Sequence, residues 1–192
     1  MKVTILIPCF NEEETIGEVI ERVSKLKTDF EKEILVVNDG STDGSEQKIG
    51  EFDNSEVRLI SHPHNRGKGA AVRTGFENTT GQIIVIQDAD LEYFPENIPR
   101  LVEPILEGKA EIVYGSRFLG TIKGMNLRHR IGNTLLNITT SLLYKTRITD
   151  VMTGHKAFAL WAVKDIELDC RRFEIELEMT VKLRKERNTQ GA

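Results

Sequence analysis

Short, continuous apolar runs recur along the first two thirds of the chain: Val3–Ile7, Ile34–Val37, Val57–Ile60, Ile83–Ile86 and Ile112–Tyr114. Runs of this length, rich in β-branched residues and lacking polar alternation, predict strands covered on both faces. Between the first two runs, Ile16, Val19, Ile20, Val23 and Leu26 fall at helical spacing, with Asn11 and Glu14 expected to cap the start. Between the third and fourth, Ala70, Ala71, Val72, Gly75 and Phe76 predict another helix, and Gly67 and Gly69 loosen the loop before it. Further on, Leu127–Tyr144 and 173–187 read as helices, with a strand at Lys156–Leu160 between them. Strand and helix in alternation predict an α/β fold with a mostly parallel central sheet flanked by helices.

The 192 residues suffice for one core, and no repeat, low-complexity tract or Pro-rich linker divides them, so residues 1–192 are expected to form a single domain. A formal net charge of −4 argues against a nucleic-acid partner. Cys9 and Cys170 are too few for a disulfide framework, which suits a reducing cytoplasm. No apolar stretch approaches the roughly 20 residues of a membrane span, and Ile131–Tyr144 is broken by polar residues into an amphipathic pattern.

The candidate chemistry lies at predicted strand ends. Asp88, Asp90 and Glu92 stand at every second position directly after the fourth apolar run. If extended, they face one side, and their mutual repulsion favours a cation between them, with Mg²⁺ or Mn²⁺ the natural occupants. An isolated Asp-x-Asp is more often a solvated helix cap. Its place at the carboxyl end of a buried strand, where α/β sheets bind ligands, favours the metal. Phosphatases of the haloacid-dehalogenase type also carry Asp-x-Asp after a strand, but near the chain start and followed by Thr or Val; Leu91 argues against them. After the first and second runs come Pro8, Cys9, Phe10, Asn11, Glu12 and then Asn38, Asp39, Gly40, Ser41, Thr42, Asp43. Glu12 or Asp39 would supply acceptors for a nucleoside, although the second segment is also an ordinary turn composition.

Taken together and in order, these segments resemble family 2 glycosyltransferases of the GT-A nucleotide-diphospho-sugar transferase fold, in particular the dolichyl-phosphate mannosyltransferase and polyprenyl-phosphate glucosyltransferase branch. The resemblance runs from Val3 to about Glu186 and is carried by Ile5–Glu12, Val36–Asp43, Asn65–Ala71, Gln87–Asp90, Gly115–Arg117 and Asp150–Ala157. It implies that Pro8, Phe10, Glu12 and Asp39 contact the nucleoside, that Asp88, Asp90 and Glu92 hold the metal beside the donor diphosphate, and that Arg117 faces the phosphates. Several relatives have Gln at the position of Glu92 and an aromatic residue at that of His155. The relatives also continue past the last helix, so a chain truncated at its C-terminus is expected.

The basic residues divide into two groups. Lys68 and Arg73 flank a Gly-rich helix start whose free N–H groups favour anions, against the alternative of solvated surface cations. Lys123, Arg128, His129 and Arg130 crowd a predicted helix start, where cations oppose the dipole unless an anion binds among them. The resemblance implies that Arg117, Arg128 and Arg130 serve an acceptor phosphate. The alternative is a basic turn beside an anionic membrane, at the cytoplasmic face.

A phosphate acceptor needs no general base; a hydroxyl acceptor does, and Asp150 is the candidate, though helix capping explains it as well. His62 and His64 read as an exposed loop pair, and Glu174 and Glu176 as either a site-rim carboxylate or a solvated helix face. The function expected is inverting transfer of a hexose from GDP-mannose or UDP-glucose to a dolichyl or polyprenyl phosphate, with Asp90 and Arg117 central to it. The alternatives are a glycosyltransferase with a sugar hydroxyl acceptor, a sugar-phosphate nucleotidyltransferase, and an inactive sugar-nucleotide-binding protein. A nucleotidyltransferase should carry a Gly-rich, basic signature after the first strand, which Pro8–Glu12 lacks.

Overall fold

The structure is a computed structural model and describes residues 1–52, 56–116, 127–143, 148–164, 166–172 and 174–190, with side chains described to 183 and omitted for 127–131. Six strands, β1 (Lys2–Cys9), β2 (Glu31–Asn38), β3 (Val57–Ser61), β4 (Ile83–Ile86), β5 (Ile112–Tyr114) and β6 (Lys156–Ala159), form one sheet in the order β3-β2-β1-β4-β6-β5. β3, β2, β1 and β4 run parallel, while β6 is antiparallel to both β4 and β5. Every residue of β4 is buried, as the unbroken Ile-Ile-Val-Ile run predicts. Strand order reverses between β1 and β4, so the crevice beyond their carboxyl ends is the place where such sheets take ligands.

The helices are α1 (Ile16–Ser24), α2 (Ser45–Gly50), α3 (Lys68–Asn78), α4 (Ile98–Leu106), α5 (Leu127–Leu143), α6 (Leu160–Val163) and α7 (Ile175–Gln190), with a 3-10 turn at Pro95–Asn97 leading into α4. One core cluster lies between the sheet and α1 and α4, around Ile5, Val19, Ile34, Val85 and Val102. The other lies between the sheet and α3 and α7, around Leu6, Leu35, Val72, Phe158 and Met179. α4 carries Pro99 in its first turn, where a missing N–H costs nothing, and Pro104 near its end, which masks its helical pattern in the sequence. Among the described residues, no helix is long and apolar enough to cross a membrane.

One local expectation changes. Asn11 does not cap α1: it sits at φ 54°, and its Oδ1 accepts the Thr42 N–H at 2.8 Å. The α1 start is closed instead by the Glu12 carbonyl, which accepts from the Thr15 and Ile16 N–H groups. Asn11 is therefore spent on bracing the loop after β1 to the loop after β2.

Candidate active site

Three strand-end loops converge at the crevice. The loops after β1 and β2 are cross-tied: Asp43 accepts from the Glu13 N–H at 3.2 Å and from the Ser45 N–H at 3.0 Å, and the Ser45 hydroxyl accepts from the Glu12 N–H at 2.8 Å. Beside them a cavity of about 580 Å³ opens between Phe10, Ser41, Thr42, His64 and Asn65. Phe10 is 41% exposed, so its ring is available to stack on a ligand. Pro8 lies in register with Val37 at the end of β1. Glu12 accepts the Thr15 hydroxyl at 2.8 Å with one carboxylate oxygen.

Asp39, expected among the nucleoside contacts, is also tied into the fold. It is 2% exposed; Oδ1 contacts His62 Nδ1 at 2.6 Å and accepts the Arg66 N–H at 3.0 Å, and Oδ2 accepts the Gly67 N–H at 2.7 Å. It braces the segment from β3 to α3. His62 is accordingly not an exposed loop residue but a buried one, whose Nε2 reaches the Thr74 hydroxyl at 2.9 Å; His64 is exposed. The sequence missed His62 because a polar residue at a strand end looks solvated until its partner, 23 residues away, is known.

The start of α3 also departs from expectation. Gly67 adopts φ 92°, and a Cβ there would stand 2.2 Å from the Arg171 carbonyl oxygen. The Gly69 N–H donates to that carbonyl at 2.9 Å, and those of Ala70 and Ala71 to the Gly67 carbonyl. The glycines thus admit the 170–171 backbone rather than cradle an anion, because the N–H groups that would bind one are already used. Arg73 is likewise no solvated cation: its guanidinium donates to the Leu168 and Cys170 carbonyls at 3.0 and 2.7 Å.

After β4 the backbone turns rather than staying extended, and the three carboxylates part company. Asp88 is 17% exposed at the side chain, Asp90 is half-buried and accepts the Glu92 N–H at 3.0 Å, and Glu92 is exposed. Burial raises the Asp90 pKa above its ordinary value, and the negative charges of Asp88, Glu92 and Glu12 add to the rise. Among the described residues, no three His, Cys, Asp or Glu side chains gather closely enough to hold a metal by themselves. Two observations nevertheless fit a cation at Asp88. Its Oδ1 already has an ammonium, Lys68 Nζ, at 2.6 Å, and the chain leaves room for its carboxylate by placing Gly154 where a Cβ would stand 2.0 Å from Oδ2. Mg²⁺ and Mn²⁺ commonly take one or two carboxylates and complete their shell with water and substrate phosphate, which suits Asp88 and Asp90.

Behind Asp88 stands a group that the sequence offered only as a weak alternative. Glu176, in the first turn of α7, is 2% exposed and pairs through Oε1 with Lys68 at 2.9 Å and through Oε2 with the fully buried Lys156. Glu174 is exposed. Burial disfavours the Lys68 ammonium, but Asp88 and Glu176 outweigh it and its pKa rises. For Lys156 burial prevails, and its pKa falls below the ordinary lysine value despite Glu176. His155, 3% exposed and packed against the Tyr93 ring, is pushed down by burial to about 4 and is neutral near pH 7. Asp150 is 1% exposed. Arg117 and Lys123 lie outside the described residues, as do the side chains of Arg128, His129 and Arg130. Cys9 is buried and its thiol is pushed up to about 12, which leaves it inert as a nucleophile.

Comparison with known proteins agrees with this geometry. The chain is 33% identical over 187 residues to the dolichol-phosphate mannosyltransferase of Pyrococcus furiosus, covering 95% of this chain and 53% of that protein. It is 29% identical over 208 residues to the UDP-N-acetylglucosamine–dolichyl-phosphate N-acetylglucosaminyltransferase of Methanococcus voltae, covering 97% of this chain and 82% of that one. The chain thus spans about half the length of the first relative. Among solved structures, glucosyl-3-phosphoglycerate synthase from Mycobacterium tuberculosis, in complex with Mn²⁺, UDP-glucose and phosphoglyceric acid, superposes with a TM-score of 0.77 at 23% identity, covering 96% of this chain and 65% of that one. That superposition, with the β3-β2-β1-β4 parallel core, is the GT-A nucleotide-diphospho-sugar transferase fold. The model of "Glycosyl transferase family 2" matches residues 4–167, and the chain belongs to that family.

Proposed function

We propose that the chain carries the catalytic site of an inverting glycosyltransferase that takes a hexose from a nucleotide sugar. The observation that carries this reading is the pair Asp88 and Asp90 at the switch-point crevice, where burial, joined by the neighbouring negative charges, holds Asp90 above its ordinary pKa and a cation would favour its ionised form. The nucleoside enters the cavity beside Phe10, against Pro8 and Glu12, with Asp39 holding the wall formed by the segment around Arg66. Asp88 and Asp90, with Glu92 at the rim, would hold Mg²⁺ or Mn²⁺, which when bound neutralises charge on the departing nucleoside diphosphate. Mn²⁺ together with UDP-glucose in the mycobacterial synthase supports that choice. Arg117 is proposed to face the same phosphates.

Two acceptor classes are each favoured by a specific observation. A hydroxyl acceptor has the stronger support, because mycobacterial synthase structures hold phosphoglyceric acid or glycerol 3-phosphate alongside the donor. Such an acceptor needs a base with access to it. Asp150, the residue expected to serve as that base, is enclosed at 1% exposure, and Asp90 would be engaged by the metal. A dolichyl or polyprenyl phosphate is supported by the names of the archaeal relatives and by Leu135, Ile138, Leu142 and Leu143, exposed along α5, where an isoprenoid or a membrane surface would rest. In that case Arg128 and Arg130, at the start of α5, would meet the phosphate.

The deciding experiment incubates the protein with Mn²⁺ and either UDP-glucose or GDP-mannose, offering 3-phosphoglycerate, glycerol 3-phosphate or a short polyprenyl phosphate in turn. Nucleoside diphosphate release and the anomeric configuration of the product are followed. Asp90→Asn should abolish metal-dependent nucleotide binding without lowering the unfolding temperature, since it removes a carboxylate that its surroundings disfavour. Release with none of the acceptors, and wild-type nucleotide affinity in Asp90→Asn, would together reject the reading.

A further inference from the structure

We propose that Lys68 is a positioning residue that exchanges between Asp88 and the donor diphosphate, tethered throughout by the buried Glu176–Lys156 pair. The inference rests on the transferase reading above and adds a coupling device to it. Four charges of alternating sign run inward from the crevice: Asp88, Lys68, Glu176 and Lys156. Lys68 Nζ lies 2.6 Å from Asp88 Oδ1 and 2.9 Å from Glu176 Oε1, so one ammonium serves two carboxylates. Glu176 is 3% exposed at its side chain and Lys156 is 0% exposed, so this inner pair cannot trade its partners for water. Lys156 also donates to the Thr153 carbonyl and lies 5.3 Å from the Tyr114 ring centre, which holds it in place.

The consequence follows from charge. With Asp88 facing an ammonium, that carboxylate is already paired before a cation reaches it. A divalent cation binding Asp88 sets two positive units beside Lys68 and drives Nζ away from Oδ1. Lys156 already covers Oε2 of Glu176, so Glu176 needs no more than its existing share of Lys68. A lysine ammonium has three protons to donate on a flexible stem. Released from Asp88 but held by Glu176, it keeps donors free for the anion that accompanies the cation, the diphosphate. Lys68 is thus a stand-in for the metal in the empty crevice and a phosphate ligand in the loaded one, and Glu176 keeps it within reach during the change.

The test measures Mn²⁺ alone, by calorimetry and by loss of the free-ion paramagnetic resonance signal, and then UDP and GDP binding at saturating Mn²⁺. In Lys68→Met the competing ammonium is gone, so Mn²⁺ alone should bind about tenfold tighter, the lower end of what a neighbouring charge does to a carboxylate. In the same variant the nucleotide diphosphate should bind about tenfold more weakly. In Glu176→Gln, Lys68 has Asp88 as its one anionic partner in this ladder, so Mn²⁺ alone should bind more weakly than to wild type.

A residue with a merely structural role would lower both affinities together in each variant. Unchanged or weaker Mn²⁺ binding in a folded Lys68→Met overturns the proposal; if that variant fails to fold, unchanged or tighter Mn²⁺ binding in Glu176→Gln does so. If wild type binds neither Mn²⁺ nor either nucleotide, the transferase reading falls and takes the exchange with it. Wild-type binding with variants that shift in one direction removes the exchange alone.

Discussion

Replacing Gly154 with alanine sets a methyl group against the carboxylate of Asp88, the proposed metal ligand. Gly154 precedes His155 and β6, and its φ lies outside the left-handed region, so alanine meets no backbone strain there. The effect is one of contact alone. A Cβ would stand 2.0 Å from Asp88 Oδ2 and 2.8 Å from its Cγ, where about 3 Å is the closest that real Cβ atoms come. Either the Asp88 carboxylate or the 153–155 backbone must therefore move by about 1 Å. The backbone is fixed by the Gly154 N–H donating to the Tyr93 hydroxyl at 3.0 Å and by pairing of the next residues with β4 and β5, so Asp88 yields.

Misplacement of a reacting group by about 1 Å costs roughly 100-fold in turnover, or about 2.7 kcal/mol of transition-state stabilisation. Overpacking itself should cost about 1–3 kcal/mol of stability. The assay pairs Mn²⁺-dependent nucleoside diphosphate release with urea unfolding, and uses Gly50→Ala as the control, because nothing lies within 4 Å of a Cβ at Gly50. A folded Gly154→Ala protein with wild-type turnover and Mn²⁺ affinity would refute the placement of Asp88 at the working centre.

Acid stability should report on His155. Its folded pKa of about 4 lies below the ordinary value near 6.5, so between these values the unfolded chain binds a proton that the native one refuses. Stability is therefore lost as pH falls through that window, by about 3 kcal/mol over the whole of it; urea midpoints at pH 7 and 4.5 should diverge less in His155→Phe than in wild type, and equal divergence would contradict the burial. Arg73→Met should release the Leu168 and Cys170 carbonyls and speed hydrogen exchange in 166–172 about tenfold or more, while the exchange of β1 stays unchanged; unaltered exchange in that segment would show that Arg73 is not what holds it.

The sequence by itself was enough for the sheet and for the edge where chemistry would occur. Ile83–Ile86 must be buried on both faces because nothing in it tolerates water, and the carboxylates that follow it must then emerge at the carboxyl end, beside the residues after β1 and β2. Burial of short apolar runs is a local property, and local patterns record it. The proline-bearing α4 was less legible, because tertiary packing of Ile98, Leu101, Val102 and Ile105 overrides its propensity.

Only the tertiary structure decided which polar residues are inside. Lys156 in a strand, Glu176 in a charged helix and His62 at a strand end all look solvated along the chain, yet each is buried against a charge or hydroxyl brought from 12 to 108 residues away. It also showed that Gly67 and Gly69 make a passage for the 170–171 backbone, and that Asp39 braces the Arg66–Gly67 backbone from within. A buried charge is stable only with its partner, and the partner is chosen by how β6, α3 and α7 pack around β4, which one-dimensional spacing does not encode.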